Sequence, residues 1–220
     1  MLNLVLKDFL VQKKTPLISI IYSVFFFIVF RGDVFKDFVY IMGSVAISYI
    51  YLMYTVNLDE KNKSDLIINS LPVTRRQVVM ARYLFYIAVI FIGILIMSLV
   101  GMILKTVPGF PDLAYVKPQD FVTAFFMIGI LASFHTPLAY KFGINARYFD
   151  MAIFFGLFFA PGFLADYIKR HSGLDTINHF MNLTQHSNWN SIGLAAAGFT
   201  LIIIMISLAI SIKIYESREF

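Results

Sequence analysis

Six apolar runs, Pro16 to Phe30, Phe38 to Val56, Tyr83 to Leu104, Phe121 to Ala139, Met151 to Ala165 and Ile192 to Ile212, contain no Asp, Glu, Lys or Arg. A chain built this way has to place those runs in lipid, where every backbone N–H and C=O must find a partner inside the protein. We therefore read an all-α integral membrane protein with spans at about 16–30, 36–57, 83–104, 120–140, 150–168 and 191–213. A spanning helix needs roughly 17 to 25 residues. The first and fifth runs are short against that, so they must tilt, break or take in flanking residues.

The remaining residues agree. Apolar side chains make up 59% of 220 residues and charged ones 14%, against roughly 25% charged in a soluble domain. With the N-terminus placed inside, the inner segments hold twelve of the 18 Lys and Arg residues and the whole formal excess of +5. That asymmetry sets orientation, so both termini are expected to be cytoplasmic, and the basic balance says nothing for nucleic acid. The chain has no cysteine, which excludes a disulfide framework, a thiolate metal site and a thiol nucleophile. No cleavable signal peptide is visible, and without repeats or linkers residues 1–220 read as a single transmembrane domain.

Residues 1–14 place Leu2, Val5, Leu6, Phe9 and Leu10 at helical spacing opposite Asn3, Lys7 and Lys14. This is the pattern of an amphipathic helix lying at the membrane interface, entering the first span through Thr15 and Pro16. Arg31 to Asp37 makes a short outer link, and Lys105 to Asp120, with Pro108, Pro111 and Pro118, an external loop. His135 and Pro137 sit near the inner end of the fourth span. An intramembrane His is a functional candidate, but the favoured reading is a hydrogen bond to the carbonyl that Pro137 frees. Lys141 to Asp150 reads as a second inner loop, a further contact for a cytosolic partner. Ala160-Pro161-Gly162 breaks the fifth span, with re-entry toward the outer leaflet as one outcome. His171, His179 and His186 lie beyond it, spaced poorly for a metal site and read as surface residues.

The polar segment from Asn57 to Arg82 holds Lys61, Lys63, Arg75, Arg76 and Arg82 around a small apolar patch of Leu66, Ile67, Ile68 and Leu71. The patch is too short to span and requires a partner. Thr74 and Gln77 have capping-box spacing, which starts a helix that runs into the third span. The Asp59-Glu60 pair at the end of the second span reads as solvated surface. The chain contains no GxxxxGK[ST] phosphate loop and no paired acids within a span, so any active transport must take its energy from another subunit.

Lys7-Asp8 in the N-terminal helix, the six spans, and the run Asn69-Ser70-Leu71-Pro72-Val73-Thr74-Arg75-Arg76 leading through Arg82-Tyr83 resemble the permease subunits of bacterial ABC-2 type exporters. They are similar in particular to the small permeases of the phenol-soluble modulin exporter. The resemblance covers the whole chain in layout and is sharp over Leu66 to Tyr83. It implies a non-enzymatic permease subunit in the bacterial cell membrane, paired with a second permease as a homo- or heterodimer and docked on a cytosolic ATP-binding subunit. No cofactor is bound directly; ATP sits on the partner. The segment 65–76 then carries the coupling element, with Asp65, Leu66, Ile67, Ile68, Asn69, Ser70, Leu71 and Pro72 as its docking residues and Arg75 and Arg76 as flanking contacts. Phe26, Tyr49, Tyr54, Phe155 and Phe159 line a translocation path for amphipathic or hydrophobic cargo such as peptides or antimicrobials. Two other readings stay open: a six-span substrate-binding component of an importer, and a non-transporting immunity or scaffold protein.

Overall fold

The structure, a computed structural model, describes residues 2–30, 38–108, 113, 115–156, 167 and 189–218, leaving aside the side chains of 65, 66, 69 and 189–192. Its helices are α1 (Leu2–Val11), α2 (Thr15–Val29), α3 (Val39–Lys61), α4 (Ser64–Asn69), α5 (Arg75–Lys105), α6 (Pro118–Phe142), α7 (146–156) and α8 (Trp189–Glu216). Among the described residues there is no strand. Four helical stretches are long and apolar enough to cross a membrane: Val39–Lys61, Arg75–Lys105, Pro118–Gly156 and Gly193–Glu216. A fifth results if α1 and α2, bent by 60° at Gln12–Lys14, act together. At about 1.5 Å per residue α2 alone reaches roughly 22 Å, short of the ~30 Å hydrocarbon layer.

The pattern of burial shows why this is a membrane bundle. In α2 the buried residues are Thr15, Ser19, Ser23 and Phe27, one per turn, while Leu17, Ile21, Phe25 and Ile28 point outward. Helix α8 repeats it: Thr200, Ser207 and Ser211 face in, and Phe199, Ile202, Met205, Ile206 and Ile210 face out. Polar-in and apolar-out is the reverse of a soluble helix and suits a bundle whose solvent is lipid. Small inward residues let backbones approach closely. Ser19 and Ser23 return their hydroxyls to carbonyls four residues back, each at 2.8 Å, so neither of these two inward hydroxyls carries an unmet donor.

Helices α3 and α5 form the centre, where Ile47, Tyr51, Leu52, Phe85, Val89 and Met97 are almost wholly enclosed. They come together at Gly93, where an added Cβ would sit 3.2 Å from the Ser44 carbonyl oxygen and 2.6 Å from Ser48 Oγ. Helix α1 lies against α5 with Phe9 edge-on to Phe85 at 4.8 Å between ring centroids, and exposes Leu2, Leu6 and Leu10.

Helix α6 runs through Pro137 to Phe142 and then turns at Gly143–Asn145. Gly143 adopts φ +58°, a conformation that requires glycine, and a Cβ there would also push aside the carboxylate of Glu60. Past the turn α7 folds back: His135 Nδ1 and Asp150 Oδ2 are 2.8 Å apart, where a continuous helix would separate them by about 22 Å. The expected inner loop from Lys141 to Asp150 is thus corrected to a tight turn followed by a helix, with Asp150 buried rather than solvated. The second half of the fifth run, including Phe159, Ala160-Pro161-Gly162 and the proposed re-entry, lies outside the described residues, as do His171, His179, His186 and the link Arg31 to Asp37.

Candidate functional site

Helix α4 follows a sharp turn at Lys63, whose φ is +47°, and lies alongside the end of α3. The short helix divides its apolar residues by face. Ile68 is 4% exposed and packs with Val78, Val79, Tyr83, Ile204 and Tyr215, whereas Ile67 and Leu71 are 61% and 47% exposed. Ser70 caps its own turn through the Ile67 carbonyl at 2.7 Å, and Pro72 is exposed beside Leu71. For Asp65, Leu66 and Asn69 only the helical backbone is described.

The expected capping box is present. Gln77 N–H donates to Thr74 Oγ1 at 3.3 Å, and Thr74 N–H donates to Gln77 Oε1 at 3.1 Å. Two of the donors at the start of α5 are therefore satisfied locally, which fixes the direction in which the 64–74 segment leaves the bundle. Arg75 and Arg76 turn to the end of α8. Arg75 Nη1 donates to the carbonyls of Tyr215, Glu216 and Arg218 at 3.3, 2.7 and 2.9 Å, and Arg76 Nε pairs with Glu216 at 2.8 Å. A guanidinium on the last carbonyls of a helix satisfies acceptors that have no partner within it and complements the helix dipole. The α4–α5 junction and the C-terminal end of α8 are thus joined.

Behind this surface lies a charge network that the sequence reading missed. Arg82 reaches Asp59 through Nη2 and Asp8 at 3.5 Å through Nη1, and Lys7 bridges the same two carboxylates at 3.0 and 3.5 Å. Arg82 and Asp8 side chains are 8% and 6% exposed. Four charges from α1, α3 and α5 therefore neutralise one another at the end of the bundle where α3 finishes and α5 begins. The signal was there in part: Asp8 is the one acid of an otherwise apolar and basic helix, and Arg82 stands directly before a charge-free span. Of the pair expected as solvated surface, Asp59 is drawn in to 21% exposure while Glu60 is exposed as expected, and both also make structural contacts. Asp59 is in this network, and Glu60 accepts the Ile144 N–H of the α6–α7 turn. A cavity of about 50 Å³ opens among Asp59, Glu60, Arg82, Tyr86, Tyr140 and Gly143.

The polar seam continues inward. Tyr83 OH lies 2.6 Å from Ser207 Oγ and 2.9 Å from Ser211 Oγ. Ser207 Oγ donates to the Ser133 carbonyl, four residues before Pro137 and so the acceptor that the proline releases. The expected bond from His135 to that carbonyl is corrected: α8 supplies the donor, and His135 faces Asp150 with Tyr86 edge-on at 5.9 Å.

The aromatic residues expected along a path separate. Tyr49 is half-buried against Phe154 of α7 at 5.2 Å, Phe26 stacks on Phe30 at 5.2 Å, and Tyr54 and Phe155 are 40% and 56% exposed. Phe27 and Tyr51 are core residues at 0% and 2%.

A family profile described as ABC-2 family transporter protein matches residues 3–216. The chain belongs to this family. The match covers nearly all of its length, from the start of α1 to the end of α8, and identifies a multi-pass transporter permease, a membrane component that works with an ATP-binding partner. No individual curated protein and no solved structure matches the chain.

Proposed function

We propose that this ABC-2 permease is the membrane subunit of an ATP-driven exporter of amphipathic or hydrophobic substrates, such as peptides or antimicrobials. It pairs with a second permease chain, the same or different, in the bacterial cell membrane. The cytosolic ATP-binding subunit, which alone binds ATP, seats on 65–76. Six spans put both termini in the cytoplasm: α1 and α2 form the interfacial entry and first span, and α7 begins the fifth. The observation that carries this reading is the exposed pair Ile67, on α4, and Leu71, two residues past its end, on a segment braced on both sides. Ile68 anchors it in the core, the capping box fixes its exit, and Arg75 ties the junction to α8. An apolar pair displayed on a braced element fits a groove on a partner that pushes on it. Closure of the ATP-binding subunits would then move α4, α5 and the end of α8 together.

The test is an affinity pull-down of the tagged, detergent-solubilised protein from its native membrane, comparing wild type with Leu71→Asp and Ile67→Asp. Recovery of an ATP-binding subunit with wild type and its loss from both inserted variants is the expected result. If it is recovered equally with all three, 65–76 is not the docking element. If none is recovered with wild type, an importer's binding component or a scaffold becomes the better reading.

A further inference from the structure

His135 and Asp150 are fully enclosed, 0% exposed on both sides, and take no part in the coupling surface. Their contact, Nδ1 to Oδ2 at 2.8 Å, uses one polar atom of each. His135 Nε2 and Asp150 Oδ1, also buried, have no hydrogen-bond partner among the described residues. A buried polar atom without a partner costs about 1 to 3 kcal/mol, and here two occur on one contact. Beside His135 lies a cavity of about 10 Å³ bordered by Asn57, Gly143, Ile144, Ala146 and Arg147, which is about the room that one water occupies. Val56 and Gly143 also border the larger cavity among Asp59, Glu60 and Arg82, so the small space adjoins the polar inner end.

We propose that the His135–Asp150 pair is a proton-binding site supplied from the inner face through these two cavities. With Asp150 ionised, Nδ1 carries hydrogen and donates to Oδ2, which leaves the Nε2 lone pair as the acceptor. A hydronium ion arriving by way of the small cavity gives its proton to Nε2, forming one N–H bond and leaving water. Release is the reverse. The pair then passes between a formal charge of −1 and zero, a change that a low-dielectric bundle registers strongly. The other titratable groups facing it are Tyr49 of α3, coupled electrostatically to Asp150, Tyr86 of α5 and Arg147 of α7 at the cavity wall, with Asp59, Glu60 and Arg82 in the adjoining space.

The chain has four histidines, so His171→Gln, His179→Gln and His186→Gln together leave His135 as the only imidazole. The experiment is ¹⁵N-histidine NMR of this full-length variant in lipid nanodiscs, titrated from about pH 8 to 5, the range in which imidazoles ordinarily change charge. The expected result is a single transition from the Nδ1–H neutral form to the imidazolium. Asp150→Asn, which removes the carboxylate that faces the imidazolium, should weaken proton binding at His135 by about tenfold or more. Resonances fixed in one protonation state throughout would overturn the proposal, since the contact would then be structural only. A transition that Asp150→Asn does not move would overturn the assignment to the pair. Should Asp150→Asn fail to fold, the titration of the first variant decides by itself, and neither readout requires the ATP-binding subunit.

Discussion

Replacing Arg82 by Gln tests whether the end of the bundle where α1, α3 and α5 meet is held by buried charge. The guanidinium is 8% exposed and answers two carboxylates, Asp8 at 6% and Asp59 at 21%. Removing one partner of a buried ion pair costs about 3 to 5 kcal/mol, because the other charge remains uncompensated. Lys7 still bridges both acids at 3.0 and 3.5 Å from a 31% exposed position, which places the expected loss near the lower end, about 3 kcal/mol. The control is Arg76→Gln. Its pair with Glu216 has a good 2.8 Å contact but exposures of 68% and 41%, so solvent screening leaves it little net stabilisation. Reversible unfolding in mixed micelles, read as the shift in denaturant midpoint at constant slope, would compare the two. Adding Asp8→Asn to Arg82→Gln should recover about 1 kcal/mol or more, since it removes one orphaned charge. Equal and small effects of Arg82→Gln and Arg76→Gln would refute the buried-network argument.

Gly143→Ala should destabilise by about 1 to 3 kcal/mol, because alanine resists φ +58° and its Cβ would displace Glu60; the same unfolding assay reads it, and a neutral variant would disprove the turn geometry. Gly93→Val should cost about 1 to 3 kcal/mol by overpacking, as the Ser44 carbonyl behind it is backbone and cannot swing away. Thermal inactivation of the inserted protein measures that, and Gly93→Ala should be the milder of the two. Arg75→Gln should leave insertion intact but free the last turn of α8, raising amide exchange over residues 212–218 by roughly tenfold, the equivalent of about 1.4 kcal/mol of lost hydrogen bonding.

Helical class, membrane residence and the capping box at Thr74 were legible in the sequence because each is local. Charge-free runs, hydrophobicity and a three-residue spacing need no knowledge of what packs against them. Ile68 shows where that stops: it is as apolar as Ile67, yet one faces the core and the other solvent, and the direction depends on how α4 lies against α5. The charge network was hidden for a related reason. The Lys7-Asp8 pair, Asp59 and Arg82 are far apart in sequence, and each had a sufficient local reading as a topology marker or surface residue. The His135–Asp150 contact lies only fifteen positions apart, but it requires a chain reversal at Gly143 that a basic, Gly-containing stretch announces only as a loop.

A mechanical consequence follows from where the polar contacts lie. They form one strip from the α4–α5 junction, through Arg75 on the α8 terminus and Tyr83 on Ser207 and Ser211, to the carbonyl released by Pro137. Elsewhere α8 packs on α6 through side chains without polar contacts, with Thr200 against Gly129 and Phe199 stacked on Phe126, and turns Leu194, Ile202, Met205 and Ile206 outward. Dispersion contacts with lipid have no preferred register, whereas hydrogen bonds in a low-dielectric interior do. If the ATP-binding subunit seats on α4 as proposed, a push delivered there would be passed on where geometry is specified, into α5, α8 and the proline-weakened segment of α6. It is lost where the helices face lipid. On this reasoning Ser207→Ala interrupts transmission while leaving α8 inserted, because it removes the donor to Ser133 without changing any outward residue.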